Sequence, residues 1–144
     1  MKIALIGAGS GFGLALAKAL LAREHNVYLT YHHGSNALEA MVKAYPETLE
    51  ICQADITKQD AMEFALRNMP WDELDSLVIT AGVLFNEDRR KLLQDQEMDV
   101  IWRTFAVNFF GVLQTLQLFM PRVKSGGKLF VTTSEGVALD EIGT

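Results

Sequence analysis

The sequence is poor in cysteine and carries no excess of positive charge. Its single cysteine, Cys52, cannot form an internal disulfide, which favours a reducing compartment. We expect Cys52 to be a small buried apolar residue rather than a reactive thiol. With a formal net charge of −5, the chain has no basic surplus for nucleic acid or for an anionic membrane surface. Neither is therefore an expected partner.

Long apolar runs are also missing. Only residues 3–6 are continuously apolar before a glycine interrupts, and Lys18 and Arg23 break the next apolar stretch. The sequence therefore predicts neither a signal peptide nor a membrane span. At 144 residues, with 49% hydrophobic and 22% charged residues, the composition is that of one ordinary globular domain. We expect a single cytoplasmic domain over residues 1–144, with no metal site.

Apolar strand patterns alternate with helical patterns along the sequence. Asn36 and Glu39 have the spacing of a capping box, Thr57 or a neighbour is the predicted cap of the next helix, and residues 125–127 close the last one. This alternation predicts an α/β fold, a doubly wound parallel sheet (Rossmann-like) of about five strands, with ligands at the carboxyl ends of the strands. The predicted strands are 3–6, 27–31, 49–54, 74–80 and 128–132, and the predicted helices end near residues 24, 45, 69 and 120.

Four glycines lie between the first strand and the first helix: Gly7, Gly9, Gly11 and Gly13. Glycine costs conformational entropy, so this clustering favours a backbone that turns tightly or is approached closely. The helix that follows presents free N–H groups to a phosphate. The spacing excludes the general dinucleotide motif G-x-G-x-x-G and the P-loop, and it fits G-x-x-x-G-x-G. A glycine-rich turn without a ligand is the alternative.

The end of the second strand bears on the choice of cofactor. In NAD-binding folds an acidic residue there binds the ribose 2′-hydroxyl, but Tyr31 occupies that position and His32 and His33 follow it. Without an acid there is no repulsion of a 2′-phosphate, and a histidine gains proton affinity beside an anion. The sequence favours NADP over NAD and leaves NAD possible. Two exposed loop histidines without a partner are the alternative interpretation.

The G-x-x-x-G-x-G spacing directly after an N-terminal strand resembles the short-chain dehydrogenase/reductase family. Thr80 departs from the family's usual asparagine, which puts that residue's sheet-stabilising role in doubt. Segment 89–92 and the Ser-Glu-Gly after the fifth strand are similar to carbonyl reductases of the sniffer and C-factor type. Four further motifs extend the family resemblance over almost the whole chain: Ala54-Asp55-Ile56, Thr80-Ala81-Gly82, Val107-Asn108-Phe109-Phe110-Gly111 and Val131-Thr132-Thr133-Ser134.

The resemblance implies an NAD(P)-dependent oxidoreductase that transfers hydride between nicotinamide and a small-molecule carbonyl or alcohol substrate. It implies that Asp55 bonds the adenine ring, and that the catalytic residues are Asn108, in a proton relay through water, and Ser134, on the substrate carbonyl oxygen. Asp55 as a loop residue or helix cap, and Asn108 as a residue satisfied by backbone, remain open. The cofactor-binding residues are expected to be Gly7, Gly9, Ser10, Gly11, Phe12, Gly13, Tyr31, His32, Asp55, Ile56, Ala81 and Gly82.

The family's Tyr-x-x-x-Lys does not occur in these 144 residues. The resemblance therefore implies a dinucleotide-binding domain that is truncated after the fifth strand and incomplete at its C-terminal end. General acids typically contribute about 10²–10⁴-fold, so we expect poor turnover or none from this chain. A non-catalytic NAD(P)-binding module or sensor is the alternative, and a truncated product without function is a third. The fifth strand is expected to be an open edge. We expect a homo-oligomer that forms through this edge or through the helix over 99–120.

Overall fold

The computed structural model describes residues 1–84 and 92–133, which form a parallel sheet flanked by helices. Its three central strands are apolar runs because helices cover both faces of the sheet there, whereas the last strand is polar in part and largely exposed. The strands are β1 (Lys2–Ile6), β2 (Asn26–Tyr31), β3 (Leu49–Gln53), β4 (Leu74–Ile79) and β5 (Val123–Val131). The helices are α1 (Gly11–Leu21), α2 (Asn36–Ala44), α3 (Gln59–Arg67), α4 (Met98–Phe105) and α5 (Val112–Phe119), with single 3₁₀ turns at Leu93–Asp95 and Met120–Arg122.

The five strands lie in the order β3-β2-β1-β4-β5, and every neighbouring pair is parallel. The chain builds outward from β1 to β3 and then returns across the sheet to β4. This reversal opens a crevice at the carboxyl ends of β1 and β4, which is where ligands bind in doubly wound sheets. The predicted fold class, a doubly wound parallel sheet of about five strands, is confirmed.

The sheet separates two apolar cores. Ala4 and Ile6 of β1 pack with Tyr28 and Phe119 on one face, whereas Ile3 and Leu5 belong to the core on the other face. This alternation follows from the twofold period of a strand. Cys52 of β3 is buried, as the sequence predicted.

Tyr28 is the largest side chain that is fully buried, and its hydroxyl lies in the core beneath α3. That hydroxyl donates a hydrogen bond of 2.6 Å to the backbone carbonyl of Ala65. Burial disfavours the charged phenolate and is the main reason why the pKa of Tyr28 is raised above its ordinary value. The proximity of Cys52 and the charge of Glu50 act in the same direction.

The last strand was predicted wrongly at its beginning. β5 begins at Val123, and residues 125–127, predicted as a turn, lie within it. Leu74 pairs with Val123 while Ser76 pairs with Lys128, so four residues of β5 bulge opposite Asp75 alone. Gly126 permits this bulge because its φ of +75° lies in the left-handed region.

Two helix boundaries also differ from the prediction. α1 ends at Leu21 rather than near residue 24. Ser35 caps α2, because its hydroxyl accepts the Leu38 N–H, and Asn36 is the first helical residue. The N-cap position of α3 is Lys58, a neighbour of Thr57 as predicted, and Thr57 donates its N–H and its hydroxyl to Asp55. Short polar residues compete for such positions, and the sequence does not reveal which one succeeds.

The predicted helix over 99–120 is continuous in direction but not uniform. A π-helical turn, Ala106–Gly111, joins α4 to α5. One face of this helix is exposed and strongly apolar; we call it the exposed helix face, and it consists of Met98, Trp102, Phe105, Phe109, Leu113 and Met120.

Within residues 1–84 and 92–133, β5 has a neighbouring strand on one side only. None of the helices in the described part of the chain is both long enough and apolar enough to cross a bilayer.

Candidate functional site

The glycine turn brings the end of β1 against the end of β4. A Cβ on Gly7 would lie 2.4 Å from the Ala81 Cβ and 2.6 Å from the Ala81 Cα, so no side chain fits there. Gly7 also has a φ of +80°. Its N–H donates to the Thr30 carbonyl at 3.0 Å and lies 3.1 Å from the Thr30 hydroxyl. The turn is therefore fixed to three strands, β1, β2 and β4.

The same turn passes close to α1 and to the end of β2. A Cβ on Gly13 would lie 2.7 Å from the Ala8 Cα, and one on Gly9 would lie 2.6 Å from the His33 carbonyl oxygen. Ser10, the residue before α1, is extended and its side chain makes no capping hydrogen bond. The first N–H groups of α1 have no intrahelical partner and the helix dipole makes this end positive, so the geometry suits an anion.

A cleft of about 180 Å³ opens in front of this turn at the carboxyl ends of the strands. It brings together eight of the predicted cofactor residues: Gly7, Gly9, Ser10, His32, Asp55, Ile56, Ala81 and Gly82. The other four predicted cofactor residues, Gly11, Phe12, Gly13 and Tyr31, do not line it. The Phe12 side chain is 67% exposed and lies with Leu16 and Phe130 in a separate groove.

Six further residues line the cleft and were not among the predicted site residues: Ile6, Thr30, His33, Ala54, Val83 and Val107. Ile6, Thr30 and Ala54 lie at or next to strand ends, so the strand prediction itself carried the signal for them. His33 follows His32 in the predicted loop. For Val83 and Val107 the sequence has no comparable signal, because their placement depends on how the helix over 98–119 meets the end of β4.

Asp55 and His32 face each other across the cleft. Their closest side-chain atoms, His32 Nε2 and Asp55 Oδ2, are 3.8 Å apart. Asp55 Oδ1 accepts the Thr57 N–H at 2.9 Å and the Thr57 hydroxyl at 2.8 Å. Within the described residues, Asp55 Oδ2 accepts no hydrogen bond, because His32 Nε2 at 3.8 Å is too far away to donate one.

The ionisation of Asp55 reflects two opposing effects. Burial is the largest single effect and favours the neutral acid, whereas the two hydrogen bonds from Thr57 favour the carboxylate. The positive charges of His32 and Lys58 act with those hydrogen bonds. The pKa of Asp55 is therefore below its ordinary value, and the side chain is a carboxylate at neutral pH.

Asn108 lies in the π-helical turn and holds the loop after β4. Its Oδ1 accepts the Val83 N–H and its Nδ2 donates to the Val83 carbonyl, both at 2.8 Å. The side-chain amide is thus satisfied by backbone, although by backbone 25 residues away rather than in its own helix. Asn108 thereby fixes the loop that carries Ala81 and Gly82.

Thr80 links β4 to β1 in place of the family's asparagine. Its hydroxyl donates to the Ile6 carbonyl at 3.1 Å, and its N–H donates to the same oxygen at 2.9 Å. The doubt that its departure from the family pattern raised is therefore answered: a threonine at this position bridges the two strand ends that flank the cleft.

Ser134, the predicted substrate-binding serine, lies outside the described residues, as do residues 89–91 and the Ser-Glu-Gly of the sniffer and C-factor resemblance. Among the residues that the structure describes, no cluster of three His, Cys, Asp or Glu side chains could hold a metal ion.

Comparisons with known sequences agree with this geometry. A family model for short chain dehydrogenases matches residues 2–140. An uncharacterized oxidoreductase of Schizosaccharomyces pombe is 27% identical over 137 residues, which cover 95% of this chain and 54% of that protein. Estradiol 17-beta-dehydrogenase 2 of Rattus norvegicus is 32% identical over 144 residues, which cover 95% of this chain and 37% of that protein. The chain therefore spans about half, or less, of the length of these relatives.

Solved structures share the fold. A short-chain dehydrogenase/reductase from Burkholderia multivorans with bound NADP has a TM-score of 0.89 and 23% identity, and the match covers 99% of this chain and 62% of that one. A carbonyl reductase from Pseudomonas aeruginosa PAO1 has a TM-score of 0.82 and 24% identity, and the match covers 92% of this chain and 61% of that one. The family match over nearly all of the sequence, together with a glycine turn and strand order that suit a dinucleotide, leads to one conclusion: the chain belongs to the short-chain dehydrogenase family.

Proposed function

We propose that this chain is the dinucleotide-binding part of an oxidoreductase that interconverts a small-molecule carbonyl compound and its alcohol with NADP, and that NAD binds less well. The observation that carries the proposal is the cleft at the ends of β1 and β4, where the glycine turn, the start of α1, Asp55 and His32 converge. The family is one of oxidoreductases. A relative by fold has NADP bound.

The residues present fit such a cofactor. A Cβ on Gly7 or Gly9 would collide with neighbouring residues, so the tight turn requires glycine at both positions, and both line the cleft. The backbone N–H groups of Ser10, Gly11 and Phe12 would hold the pyrophosphate at the positive end of α1. When bound, the nicotinamide supplies the hydride acceptor or donor.

The adenosine end of the proposed site is formed by Asp55, Ile56 and the loop after β2. Asp55 Oδ2 is the acceptor offered to an adenine amino group, since Oδ1 already accepts two hydrogen bonds. Tyr31 and His32 take the place of an acidic residue beside the ribose 2′ position. A 2′-phosphate would therefore meet an imidazole and no carboxylate of β2, which supports NADP over NAD.

We assign the chemical roles of the remaining site residues by the resemblance. Ser134 would donate a hydrogen bond to the substrate carbonyl oxygen, and Asn108 would support a proton relay through water. Both polar atoms of the Asn108 side chain already form hydrogen bonds with the Val83 backbone. We therefore propose that the backbone of Asn108, and not its side chain, makes the contact with the relay water. No Tyr-x-x-x-Lys occurs in the 144 residues, so we propose that the chain by itself binds cofactor but turns over poorly.

A non-catalytic NAD(P)-binding module or sensor is the second candidate, because the same cleft would bind a dinucleotide without any reaction. We further propose that the protein is cytoplasmic and forms homo-oligomers through the exposed helix face or the free edge of β5. Sedimentation of the Trp102→Glu variant beside the unsubstituted chain tests the first of these two surfaces. A monodisperse monomer from the unsubstituted chain would contradict self-association.

The deciding experiment is a fluorescence titration with NADPH and, separately, with NADH. Saturable binding with NADPH preferred is the expected result, and His32→Gln is expected to narrow that preference. The matched control is His25→Gln, because His25 precedes β2 at the opposite end of the sheet. Binding of neither nucleotide would refute the proposal. Carbonyl-dependent oxidation of NADPH by the chain alone would favour the enzyme over the module.

A further inference from the structure

Ser35 connects the loop after β2 to the glycine turn. Its hydroxyl donates to the Gly9 carbonyl at 3.1 Å and accepts the N–H of Leu38 at 3.2 Å. The second bond caps α2, which begins one residue later. The first bond reaches back 26 residues to the turn and is not needed to form a helix. One side chain therefore serves two different parts of the fold.

The loop that carries Ser35 is held at its other end as well. Gln53 Nε2 donates to the His32 carbonyl at 3.0 Å. In between, the His33 carbonyl lies so close to Gly9 that a Cβ there would approach it to 2.6 Å. The loop thus contacts Gly9 through His33 and Ser35, and Ser35 makes the one side-chain hydrogen bond between the loop and the glycine turn within the described residues.

The Gly9 carbonyl shares a peptide plane with the Ser10 N–H. The described residues contain no cis peptide bond, so in this plane the C=O and the N–H point in opposite directions. A hydrogen bond that turns the Gly9 carbonyl toward Ser35 turns the Ser10 N–H away from it. Ser10 lines the cleft and precedes the first residue of α1.

We propose that Ser35 is a positioning residue that orients the Gly9–Ser10 peptide so that the Ser10 N–H is directed to the pyrophosphate of the bound dinucleotide. This inference rests on the proposed function and adds a residue that touches no ligand itself. It requires Ser35 to act through Gly9 and not only through the cap of α2. The two routes predict different effects of glycine and alanine at this position.

Three variants separate the two routes. Ser35→Ala loses both hydrogen bonds, and Ser35→Thr keeps both. Ser35→Gly loses the bond to Gly9 but costs the helix little, because glycine is tolerated at an N-cap almost as well as serine. The backbone of Ser35 is extended, with φ −142° and ψ 156°, so all three residues fit without strain. Thermal unfolding of each variant shows whether the fold is kept.

Binding of NADPH and of adenosine 2′-monophosphate is then compared for each variant by titration. The loss of one neutral hydrogen bond corresponds to about a fivefold change in an equilibrium constant. We expect Ser35→Ala and Ser35→Gly to weaken NADPH binding about fivefold, while Ser35→Thr stays within about twofold of the unsubstituted chain. Adenosine 2′-monophosphate lacks a pyrophosphate, so its affinity is expected to change much less.

Two results would overturn the inference alone. The first is an NADPH affinity that is unchanged in Ser35→Gly but reduced in Ser35→Ala, because this would assign the effect to the cap of α2. The second is an equal loss of affinity for NADPH and for adenosine 2′-monophosphate in the Ser35 variants. Failure of the unsubstituted chain to bind NADPH would instead overturn the proposed function together with this inference.

Discussion

Substituting alanine for Gly7 tests whether the site depends on contact between two strand ends. An alanine with a φ of +80° is strained by about 1–2 kcal/mol. Its Cβ would also lie 2.4–2.8 Å from three atoms of Ala81, and overpacking of this kind costs about 1–3 kcal/mol. The less flexible unfolded chain offsets about 0.4–1 kcal/mol. We expect a net loss of roughly 2–4 kcal/mol, or a Tm lower by about 5–15 °C.

Gly11→Ala is the matched control. Gly11 has a φ of +54° but no atom within 4 Å of its hypothetical Cβ. Its substitution therefore carries the strain without the collision, and we expect a loss of only about 1 kcal/mol. Urea unfolding without nucleotide, monitored by circular dichroism, measures both variants. If Gly7→Ala and Gly11→Ala were equally destabilised, the close approach of β1 and β4 would not be the constraint on Gly7.

A double substitution sharpens this test. Adding Ala81→Gly removes the nearest atom, the Ala81 Cβ, but leaves the Ala81 Cα at 2.6 Å and its N at 2.8 Å. The rescue of Gly7→Ala is therefore expected to be partial, with a favourable coupling energy of about 1 kcal/mol in a double-mutant cycle. Full additivity would mean that the two positions do not touch.

Other substitutions test single interactions. Thr80→Val should lower the free energy of unfolding by about 1 kcal/mol through loss of the bond to Ile6, whereas Thr80→Ser should not; equal effects in urea unfolding would contradict this. Tyr28→Phe should cost about 1 kcal/mol through loss of the bond to Ala65. Because the pKa of Tyr28 is raised in the fold, its neutral form stabilises the protein fully below the unfolded pKa of about 10, and that stability is lost as pH rises further. The free energy of unfolding, measured up to alkaline pH, should therefore fall less steeply in Tyr28→Phe than in the unsubstituted chain. The pKa of Asp55 is lowered in the fold, so its carboxylate stabilises the protein above an unfolded pKa of about 4, and this stability is lost as pH falls through the pKa of the folded state. The free energy of unfolding of Asp55→Asn should therefore depend less on pH in acid than that of the unsubstituted chain.

The alternation of apolar strands and helical patterns was enough to predict the fold class, because the central strands of a parallel sheet are covered on both faces and each crossover needs a helix. Local features were harder. Nothing in the composition of residues 123–127 indicates that they extend β5, since serine and two glycines usually mark a turn. The bulge opposite Asp75 depends on pairing with β4, which is a long-range property.

The site divides in the same way. The glycine turn could be placed from the residues themselves, because it follows a strand that the sequence marks clearly, whereas Asp55 and Ala81-Gly82 were assigned by the family resemblance. Their contact with a cofactor stays a prediction. The double hydrogen bond between Asn108 and Val83 could not be predicted, since it joins two elements whose relative position follows from the packing of the whole sheet. The hydroxyl of Ser35 was missed for another reason: Asn36 and Glu39 offered a plausible cap one residue later.

Thr80 connects the ends of β4 and β1, which lie on either side of the cleft. Its hydroxyl fixes the Ile6 carbonyl at the last residue of β1, and that same oxygen atom of Thr80 bounds the space beside Gly13, where a Cβ would approach it to 2.6 Å. This side chain thus joins the ends of β1 and β4 and limits how closely α1 approaches the sheet. A threonine can replace an amide here because the task needs one donor of short reach, not two. Changes at Thr80 should therefore disturb the glycine turn before they disturb the sheet, because the remaining β1–β4 pairs hold the strands together without it.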